Sequence, residues 1–507
     1  MQQQGFGEFE KSTKLENFSK EELVSKFAIL ENEYLRAVRE IYRLKYQDLT
    51  DDQLKMVMAE QLKYFRDSLY GASSERYKKP ETKKAPESEP KPRVKKPSER
   101  YPNIPVREVV IAMDPMPGCR ACGEIMTDSG MTEDSEQLNV ISKKYEIVLQ
   151  KRMKYRCQCQ GCMTTAPLPV RIIEGSSYSD EMIQDVSLSK YCDLIPMGRY
   201  AAMAARSGLK DLPPQSLIEL THGFADFVSS VYGLIKRDVL MTRVLNADET
   251  PHKMLEGSEK KSWYLWGFSN LRNCFLECHD TRSGDVASDM LINSKCEVLV
   301  TDVYSGYGKA IREVNASRFL RSQIPIESAY CNAHARRYFF KTREAYKEAE
   351  FYLDCYHQIY QLNADSKGQA LSIVLKMRAQ MKSHFEAMRI QALAETSRYS
   401  GVGKYGKALN YFTGNYDGLT LFLSDADVPI DNNSQERLLR SHVVGRKTWY
   451  GTHSARGAKT AAILFSIVET CKLNHVNPRE YFKNLVKDLL AGKNAYTPSE
   501  FKDFQKS

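Results

Sequence analysis

The stretch RVLNADE (residues 243–249) is a short apolar run that ends in carboxylates, and CEVLVTD (296–302) repeats this pattern further along the chain. Runs of this length that are rich in Val and Leu are typical of buried β-strands. If the two runs are neighbouring strands, Asp248 and Asp302 emerge at the same edge of one sheet. The runs SWYLWGF and NCFLECH lie between them and complete a predicted meander of three strands.

The segments that follow the meander predict alternating helix and strand. SGDVASDMLINS and residues 305–313 predict helices, SAYCN predicts a short strand, and a further helix is expected to start at AHARRYF. Residues 340–415 lose the strand pattern and predict a block of helices, and two more helical segments follow near the end of the chain. This order of elements predicts an α/β core accompanied by a helical block.

A third acidic residue, Glu436, lies in VPIDNNSQERLLRSHVVGRK (428–447). We expect it in the first turn of a helix capped by the cluster Asn432, Asn433 and Ser434, where a carboxylate suits the helix dipole. Three converging carboxylates would repel one another unless cations bridge them, and their hard oxygen ligands suit Mg²⁺. Taken singly, such residues are more often solvated caps or salt-bridge partners, so the hypothesis depends on all three together.

The same segment is rich in cations, which we expect to face DNA phosphates around the metal site. The candidate DNA-binding residues are Arg437, Arg440, Arg446 and Lys447, together with Arg336 and Arg337 of AHARRYF. The net charge of +9 favours an anionic partner only mildly, because it is spread over 507 residues.

Two cysteine clusters predict a structural Zn²⁺ site. GCRACGE supplies Cys119 and Cys122, and YRCQCQGC supplies Cys157, Cys159 and Cys162. Two thiolates at Cys-x-x-Cys spacing can bind one tetrahedral ion, and two such pairs close a structural site. One thiol is surplus, so the choice of the four ligands stays open, and buried free cysteines are the alternative.

The cellular compartment is predicted from the same composition. The chain has 12 cysteines, few for its length, and its first residues lack the apolar core of an export signal. No apolar stretch is long enough to cross a membrane. We therefore expect a cytoplasmic protein with reduced thiols and no membrane partner.

The N-terminal region predicts an assembly element followed by a linker. Residues 18–46 carry apolar side chains at alternating spacings of four and three, which predicts a coiled-coil arm or, alternatively, an amphipathic helix packed on its own chain. Residues 78–102 are rich in Lys, Pro and Glu and predict a disordered linker. Further on, GRYAAMAARSGLKDLPPQSLIELTHGFADF has the outline of a DNA-binding helix-turn-helix, although a plain helical hairpin has the same outline.

Four motifs together resemble the catalytic motifs of IS66-family bacterial transposases. They are NADET (246–250), TDVYSGY (301–307), YCNAHARRYF (330–339) and the block DNNSQERLLR…GRKTWYG (431–451). LYGASSER and the cysteine-rich segment also resemble the N-terminal and zinc-finger regions of that family. Two features depart from the family pattern: Ser441 stands where proline is usual, and the second cysteine cluster has a third thiol.

The resemblance implies a DDE transposase with a ribonuclease-H-like α/β catalytic core, in which Asp248, Asp302 and Glu436 bind two Mg²⁺ (or Mn²⁺) ions. The implied reaction is DNA transposition, in which the ends of an insertion sequence are cleaved and the freed 3′ hydroxyl attacks target DNA. Cys331 and His334 match a Cys-x-x-His signature with a structural or DNA-positioning role. A buried cysteine beside a hydrogen-bonded histidine is the alternative for this pair.

The predicted organisation is multidomain α+β. The predicted segments are an N-terminal helical or coiled-coil region (1–76), a disordered linker (77–104), a zinc-finger domain (105–172), a helical DNA-binding region (173–241), the first part of the core (242–339), a helical insertion (340–418), the second part of the core (419–490) and a tail (491–507).

The predicted partners are double-stranded transposon-end and target DNA, further copies of the chain, and accessory proteins encoded by the same element. The alternatives are a nuclease of the same fold that cuts without transposing and a zinc-finger DNA-binding regulator with an inactive core. RNA is a further substrate that this fold admits, although the family resemblance argues against it.

Overall fold

The computed structural model describes most of the chain after residue 163 and parts of the chain before it. The described residues are 96–102, 104–109, 124–125, 135–138, 143–156, 163–255, 262–399 and 403–504. They fall into two compact units. The smaller contains the described residues between 96 and 150 together with 204–210, and the larger contains the other described residues, from 151 onward. The predicted coiled coil and the five cysteines of the predicted zinc site lie outside the described residues.

In the smaller unit, four residues of the predicted linker form a short helix, α1 (Pro97–Arg100). Proline suits the first turn of a helix because its missing N–H would have no partner there. Both the backbone N–H and the hydroxyl of Ser98 donate to the Glu136 carboxylate, each at 2.8 Å. This pair of hydrogen bonds, which the composition did not indicate, joins the helix to a segment far along the chain.

The runs VREVVIAM (106–113) and KKYEIVLQKRMKYRC (143–157) predict β-strands, but the strands that the structure shows here are much shorter. Among the described residues between 105 and 170, β1 (Lys154–Arg156) and β2 (Met163–Thr165) form an antiparallel pair. The prediction is wrong for 106–109 and 143–153, which have no strand geometry. Their apolar side chains have no sheet face to cover in the described part of the chain, and Ile147 is 98% exposed. Without a buried face, β-propensity does not hold a strand.

Between residues 163 and 243, where every residue is described, four helices precede the main sheet, as the sequence predicts. They are α2 (Asp180–Tyr191), α3 (Met197–Arg206), α4 (Pro214–Phe227) and α5 (Ser229–Leu240). Gly208 has a φ of 95°, a left-handed conformation that suits the turn after α3. The helix–turn–helix outline is therefore present, and its docking on DNA stays a prediction.

The main sheet contains the predicted strands. They are β3 (Val244–Lys253), β4 (Ser262–Ser269), β5 (Cys274–His279), β6 (Val298–Thr301) and β7 (Glu327–Tyr330). Their spatial order is β5-β4-β3-β6-β7. The first three form the predicted antiparallel meander, while β6 and β7 run parallel to β3. The predicted mixed α/β arrangement is confirmed, with β3 at its centre.

Three helices alternate with the parallel strands. α6 (Gly284–Leu291) precedes β6, α7 (Ser305–Leu320) joins β6 to β7, and α8 (Asn332–Phe340) follows β7. α6 and α7 pack against each other. All three agree with the sequence prediction, although α7 extends beyond residue 313.

The helical block also forms. It contains α9 (Ala349–Asp365), α10 (Leu371–Thr396), α11 (Gly403–Gly414) and α12 (Tyr416–Thr420). Its interior is aromatic, and the rings of Phe339 and Tyr352 stack at 4.2 Å between centroids. This core continues to Val298, Val300 and Ala329 of the sheet, so the block and the sheet share one hydrophobic cluster.

A buried arginine holds the segment that returns from the helical block to the sheet. The Arg378 guanidinium donates to main-chain carbonyl oxygens of this segment, at Phe422, Asp425, Ala426 and Val428. Arginine suits this role because its donors lie in one rigid plane and a buried carbonyl oxygen needs a partner. The return path towards residue 431 is therefore held by the protein interior.

Four helices complete the chain: α13 (Asn433–Trp449), α14 (Ala455–Leu473), α15 (Pro478–Leu490) and α16 (Pro498–Phe504). α14 is almost wholly buried and covers the edge strand β5. The hydroxyl oxygens of Ser466 and Thr470 accept the backbone N–H groups of Leu276 (2.9 Å) and Cys274 (3.1 Å). An otherwise open sheet edge is thereby satisfied. None of the helices in the described ranges, α14 included, is both long and apolar enough to cross a membrane.

Gly284 provides a test of how α6 packs on α7. A Cβ at residue 284 would overlap the carbonyl oxygen of Gly306, a main-chain atom that cannot rotate away. We expect Gly284→Ala to separate the two helices and to lower the free energy of unfolding by about 1–3 kcal/mol. The measurement is the midpoint of thermal unfolding.

The matched control is Gly233→Ala in α5, where nothing lies within 4 Å of the new Cβ. This change should be neutral or stabilising by about 0.5–1 kcal/mol, because alanine favours a helix more than glycine does. Equal midpoints for the two variants would contradict the close approach of α6 and α7.

Candidate active site

Asp248 and Asp302 lie at the same level of neighbouring parallel strands. β3 and β6 pair residue by residue up to Asn246 and Val300. Two residues further along each chain bring Asp248 and Asp302 to corresponding positions, and side chains two residues apart share a face. The structure therefore brings together the two carboxylates that the sequence placed at strand ends.

Cys331 continues the same row on the next strand. β6 and β7 pair up to Thr301 and Tyr330, and the Cys331 N–H donates to the Thr301 carbonyl oxygen at 3.0 Å. Cys331 therefore lies at the same level as Asp302 on the neighbouring strand. It also directly precedes the first residue of α8. The carboxyl ends of parallel strands are where open α/β sheets bind ligands.

The surroundings of the Asp248 carboxyl group disfavour its ionised form. Burial, together with the negative charges of Glu249, Asp302 and Glu436, raises its pKa from 3.8 to about 8. The Glu249 backbone N–H, which donates to Asp248 Oδ1 at 2.9 Å, acts in the opposite direction. The effect of Asp302 and Glu436 on this pKa indicates that both residues lie within electrostatic range of Asp248.

The carboxylate of Asp302 is oriented by the start of α7. Its Oδ1 accepts the backbone N–H of Tyr304 at 3.0 Å, and α7 begins at the next residue, Ser305. A carboxylate at a helix N-terminus is favoured by the free N–H groups and the helix dipole. This bond leaves the other oxygen of the carboxylate for a ligand.

Asn432 positions the helix that carries Glu436. This residue is 1% exposed. Its Nδ2 donates to the Ala247 carbonyl oxygen (2.8 Å) and its Oδ1 accepts from Asn246 Nδ2 (2.8 Å). Its backbone N–H donates to the sulfur of Cys331 at 3.2 Å. Since Asp248 follows Ala247 directly, these bonds hold the start of α13 against β3 next to Asp248.

The predicted cap of α13 is therefore different in the structure. Asn432 occupies the N-cap position, but its side chain makes no capping bond because it is bonded to β3. Asp431 takes over instead: its carboxylate accepts from the backbone N–H (3.1 Å) and the Nδ2 (2.7 Å) of Asn433. The Tyr360 hydroxyl of α9 also donates to Asp431 at 3.1 Å, so the helical insertion supports this helix start.

Further along, polar side chains of α13 form hydrogen bonds with polar side chains on one face of β3. Arg446 donates to the Thr250 hydroxyl oxygen at 3.0 Å, and His252 and His442 share a hydrogen bond of 2.8 Å between ring nitrogens. Burial lowers the pKa of His252 to about 4 and that of His442 well below its ordinary value, which keeps both rings neutral. These contacts add to the one at Asn246 and fix the rotation of α13 about its axis.

A glycine allows α13 to approach the sheet. Gly267 on β4 lies directly opposite Asp248. A Cβ at this residue would overlap the Gln435 side-chain amide and would lie 3.2 Å from a methyl group of Leu439. Gln435 is fully buried and precedes Glu436, so the absence of a side chain at residue 267 is what admits this turn of the helix.

Glu436 also approaches the Cys-x-x-His pair. Ligand atoms of Cys331, His334 and Glu436 all lie within 4.8 Å of one another. His334 Nδ1 is 3.7 Å from Glu436 Oε1, and neither of these two buried atoms has a hydrogen-bond partner among the described residues. Cys331, which directly precedes α8, and His334 on α8 therefore converge with Glu436 of α13 on a small cluster of mixed sulfur, nitrogen and oxygen donors.

Glu249, the carboxylate next to Asp248 in the sequence, is paired with a cation and a hydroxyl group. Its side chain is 2% exposed. The Arg282 guanidinium donates to Oε1 at 2.6 and 2.8 Å, and the Tyr307 hydroxyl donates to Oε2 at 2.6 Å. The Arg282 guanidinium also lies 4.1 Å from the ring centre of Tyr304. This carboxylate is thus neutralised by a cation while Asp248 is not.

The predicted DNA-binding cations divide into two groups. Arg437, Arg440 and Lys447 are exposed on α13. Arg440 and Lys447 follow Glu436 by four and eleven residues, which puts them on its side of the helix. Arg446 contacts Thr250, while Arg336 and Arg337 are half-buried on α8, where the Arg336 guanidinium lies 5.6 Å from the Phe340 ring centre. A role of these residues at phosphates stays a prediction.

Sequence reasoning missed Asn246, Thr250 and His252, although a signal was present. These residues alternate with others along RVLNADETPHK and share the parity of Asp248, so they line one face of β3. Asn432, Glu249, Arg282 and Tyr307 had no such signal. Their partners lie far away in sequence, so the contacts exist only in the folded chain.

The buried Asp248 carboxyl group gives stability a definite pH dependence. Its pKa of about 8 in the folded protein lies above the ordinary value of 3.8. The folded protein therefore keeps a proton that the unfolded chain releases, and stability falls as pH rises between these two values. Above about pH 8 the whole cost of the buried charge is present. In metal-free buffer at this pH, Asp248→Asn should raise the midpoint of thermal unfolding.

We expect a rise of at least about 2 °C, which corresponds to about 1 kcal/mol in a domain of this size, and little change near ~pH 4. Mg²⁺ should raise the midpoint of the wild type but not that of Asp248→Asn, because a ligand stabilises only the state that binds it. The control is Asp289→Asn, an exposed residue of α6. An Asp248→Asn protein less stable than the wild type at the higher pH would contradict this electrostatic account.

Comparison with known proteins shows the family of the chain. A family model described as Transposase IS66 family matches residues 175–460, more than half of the chain. Three proteins of Sinorhizobium fredii, each described as uncharacterized, are similar: y4hP (22% identical, 76% of this chain, 73% of that protein), y4qI (24%, 71%, 68%) and y4jD (22%, 77%, 78%). The matched region contains Asp248, Asp302 and Glu436. The chain belongs to the IS66 family of transposases, enzymes that act on DNA.

Proposed function

We propose that this chain cleaves the ends of an insertion sequence and transfers the freed 3′ ends to target DNA, with Asp248, Asp302 and Glu436 as the metal-binding residues. The membership in a transposase family supports DNA transposition as the process. The proposal adds the chemical step, the residues that carry it and the DNA surface.

The sheet supports a ribonuclease-H-like core. Three antiparallel strands are followed by two strands parallel to the first, and the order is β5-β4-β3-β6-β7. Asp248 lies on the central strand and Asp302 follows its neighbour, while Glu436 comes from a helix that returns after the helical insertion. This arrangement agrees with the fold that the sequence motifs imply.

The observation that carries the proposal is the register of β3 and β6, which puts Asp248 and Asp302 at corresponding positions, together with the hydrogen bond that holds the helix of Glu436 against β3. Asp302 and Glu436 both raise the pKa of Asp248, in addition to burial. Carboxylates are brought together against their mutual repulsion, and a divalent cation removes that repulsion. Their hard oxygen donors fit Mg²⁺ or Mn²⁺. When bound, two such ions activate an attacking water or 3′ hydroxyl and stabilise the leaving oxygen.

The chain's own residues position these groups. Asn432 holds Glu436 against β3, and the Tyr304 N–H orients Asp302. Arg282 neutralises Glu249, so that this fourth carboxylate does not add a free acceptor to the cluster. The exposed cations of α13 continue along the helix from Glu436 and would bind DNA phosphates. Structural Zn²⁺ at the cysteine clusters, an oligomer and accessory proteins complete the proposal.

The proposed chemistry is tested by isosteric changes of single acids. Asp302→Asn and Glu436→Gln should each lower Mg²⁺-dependent cleavage of labelled element ends at least about 100-fold, because each removes a ligand of ions that stabilise several kcal/mol of charge. Binding of the same DNA should change little, since neither residue is a cation.

Exposed acids serve as matched controls: Asp289→Asn on α6 and Glu327→Gln on β7. These two variants should cleave at the wild-type rate. Full cleavage by either Asp302→Asn or Glu436→Gln in Mg²⁺ would reject the assignment of the metal-binding residues.

The proposed DNA surface on α13 is tested by salt dependence. Replacing both Arg437 and Arg440 by Ala should weaken binding to element ends and to unrelated DNA alike. The slope of the logarithm of affinity against the logarithm of salt concentration should fall by about 2, near 0.9 for each lost phosphate contact. The control replaces Lys483 and Lys487, two exposed cations of α15, by Ala. An equal loss of slope in both double variants would show that binding depends on total charge and not on α13.

A further inference from the structure

The donor cluster formed by Cys331, His334 and Glu436 differs in chemistry from the three carboxylates. It offers one thiol, one imidazole and one carboxylate, whose ligand atoms lie within 4.8 Å of one another. Sulfur and nitrogen donors of this kind suit Zn²⁺ and similar ions and are poor ligands for Mg²⁺. A set of three protein ligands leaves a fourth tetrahedral position for water or an exchangeable group.

The separation of two ligand atoms of the cluster is close to the one that such an ion requires. Ligands bound to a tetrahedral Zn²⁺ at ordinary bond lengths lie roughly 3.3–3.6 Å apart. His334 Nδ1 and Glu436 Oε1 are 3.7 Å apart, too far for a hydrogen bond, and neither buried atom has another hydrogen-bond partner in the described part of the chain. Two unpartnered lone-pair atoms at this separation are what a shared cation would satisfy.

The sulfur accepts a hydrogen bond as a metal-bound thiolate does, although burial raises the pKa of the thiol to about 12 without a bound ion. Cys331 is fully buried and immediately precedes the first residue of α8, where the helix dipole favours negative charge. The Asn432 N–H donates to its sulfur at 3.2 Å, as outer hydrogen bonds do to metal-bound thiolates. The side chains of His334 and Glu436 are each 29% exposed, which leaves a path for an ion from solvent.

We propose that Cys331, His334 and Glu436 form a second metal site, selective for Zn²⁺-like ions, that competes with the carboxylate site for Glu436. Occupation of this site withdraws Glu436 from Asp248 and Asp302 and so inhibits Mg²⁺-dependent cleavage. The binding part stands on the cluster alone, whereas the inhibitory part rests on the proposed function.

The binding part is tested on the full-length, metal-free protein with Cd²⁺ as the probe, because cadmium thiolates absorb in the ultraviolet. The cysteine clusters near the N-terminus also offer thiolates, so the readout is a difference between variants. The wild type should bind one equivalent more than Cys331→Ser, with a correspondingly larger thiolate absorbance. Serine can still accept the Asn432 N–H, which keeps the local structure.

Cys355→Ser is the matched control, since Cys355 is a buried cysteine of α9 that is not part of the cluster. This variant should bind as many Cd²⁺ ions as the wild type. His334→Ala, which keeps the thiol, should weaken binding of the additional ion at least about tenfold. If Cys331→Ser does not fold, this variant tests the metal site in its place. Unchanged stoichiometry and affinity in the folded cluster variants would overturn the site.

The inhibitory part is tested by adding Zn²⁺ to cleavage reactions in Mg²⁺. Each variant is compared with its own rate without Zn²⁺, and Cys331→Ser should require about tenfold more Zn²⁺ for half-inhibition than the wild type or Cys355→Ser. Wild-type cleavage that is unaffected when the additional ion is bound would overturn the competition. A wild type that never cleaves would overturn the proposed function and leave the Cd²⁺ comparison to decide the site.

Discussion

The hydrogen bonds of one buried asparagine hold the candidate active site together. Asn432 bonds to the main chain of β3 at Ala247, to the side chain of Asn246 and to the sulfur of Cys331. A shift of α13 along or around its axis would leave several buried polar groups without partners, each at a cost of roughly 1–3 kcal/mol. Glu436, one turn later on α13, therefore has a fixed position relative to Asp248.

The rest of the structure supports a cluster that is unfavourable in itself. Burial and like charges raise the pKa of Asp248 to about 8, so the carboxylates stay together only because the surrounding framework is rigid. The sheet fixes the two aspartates by register, Arg378 fixes the returning segment, and Tyr360 supports Asp431 at the start of α13. The helical insertion is thus part of the site's architecture, although it contributes none of the three acids.

Much of the fold and of the candidate site could be predicted because it depends on local sequence patterns. Short runs of Val and Leu predicted the strands, and the carboxylates at the ends of these runs predicted that Asp248 and Asp302 lie close together. The prediction that Asp248 ends its strand is wrong, because β3 continues to Lys253. The strands predicted around residues 106–109 and 143–153 do not form, because a strand also needs tertiary contacts. Strand propensity was present there, but no sheet face buries their side chains in the described part of the chain. The capping of α13 differed because a tertiary partner took the Asn432 side chain.

The sequence by itself determined the family, the order of helices and strands, and the three acidic residues as a set, because motifs and apolar spacing are local properties. Only the tertiary structure decided that Asn432 bonds to β3, that Arg282 neutralises Glu249, and that His334 Nδ1 stops 3.7 Å from Glu436. These contacts join residues far apart in the chain. Their geometry depends on strand register and on where α13 packs over Gly267, which no local pattern encodes.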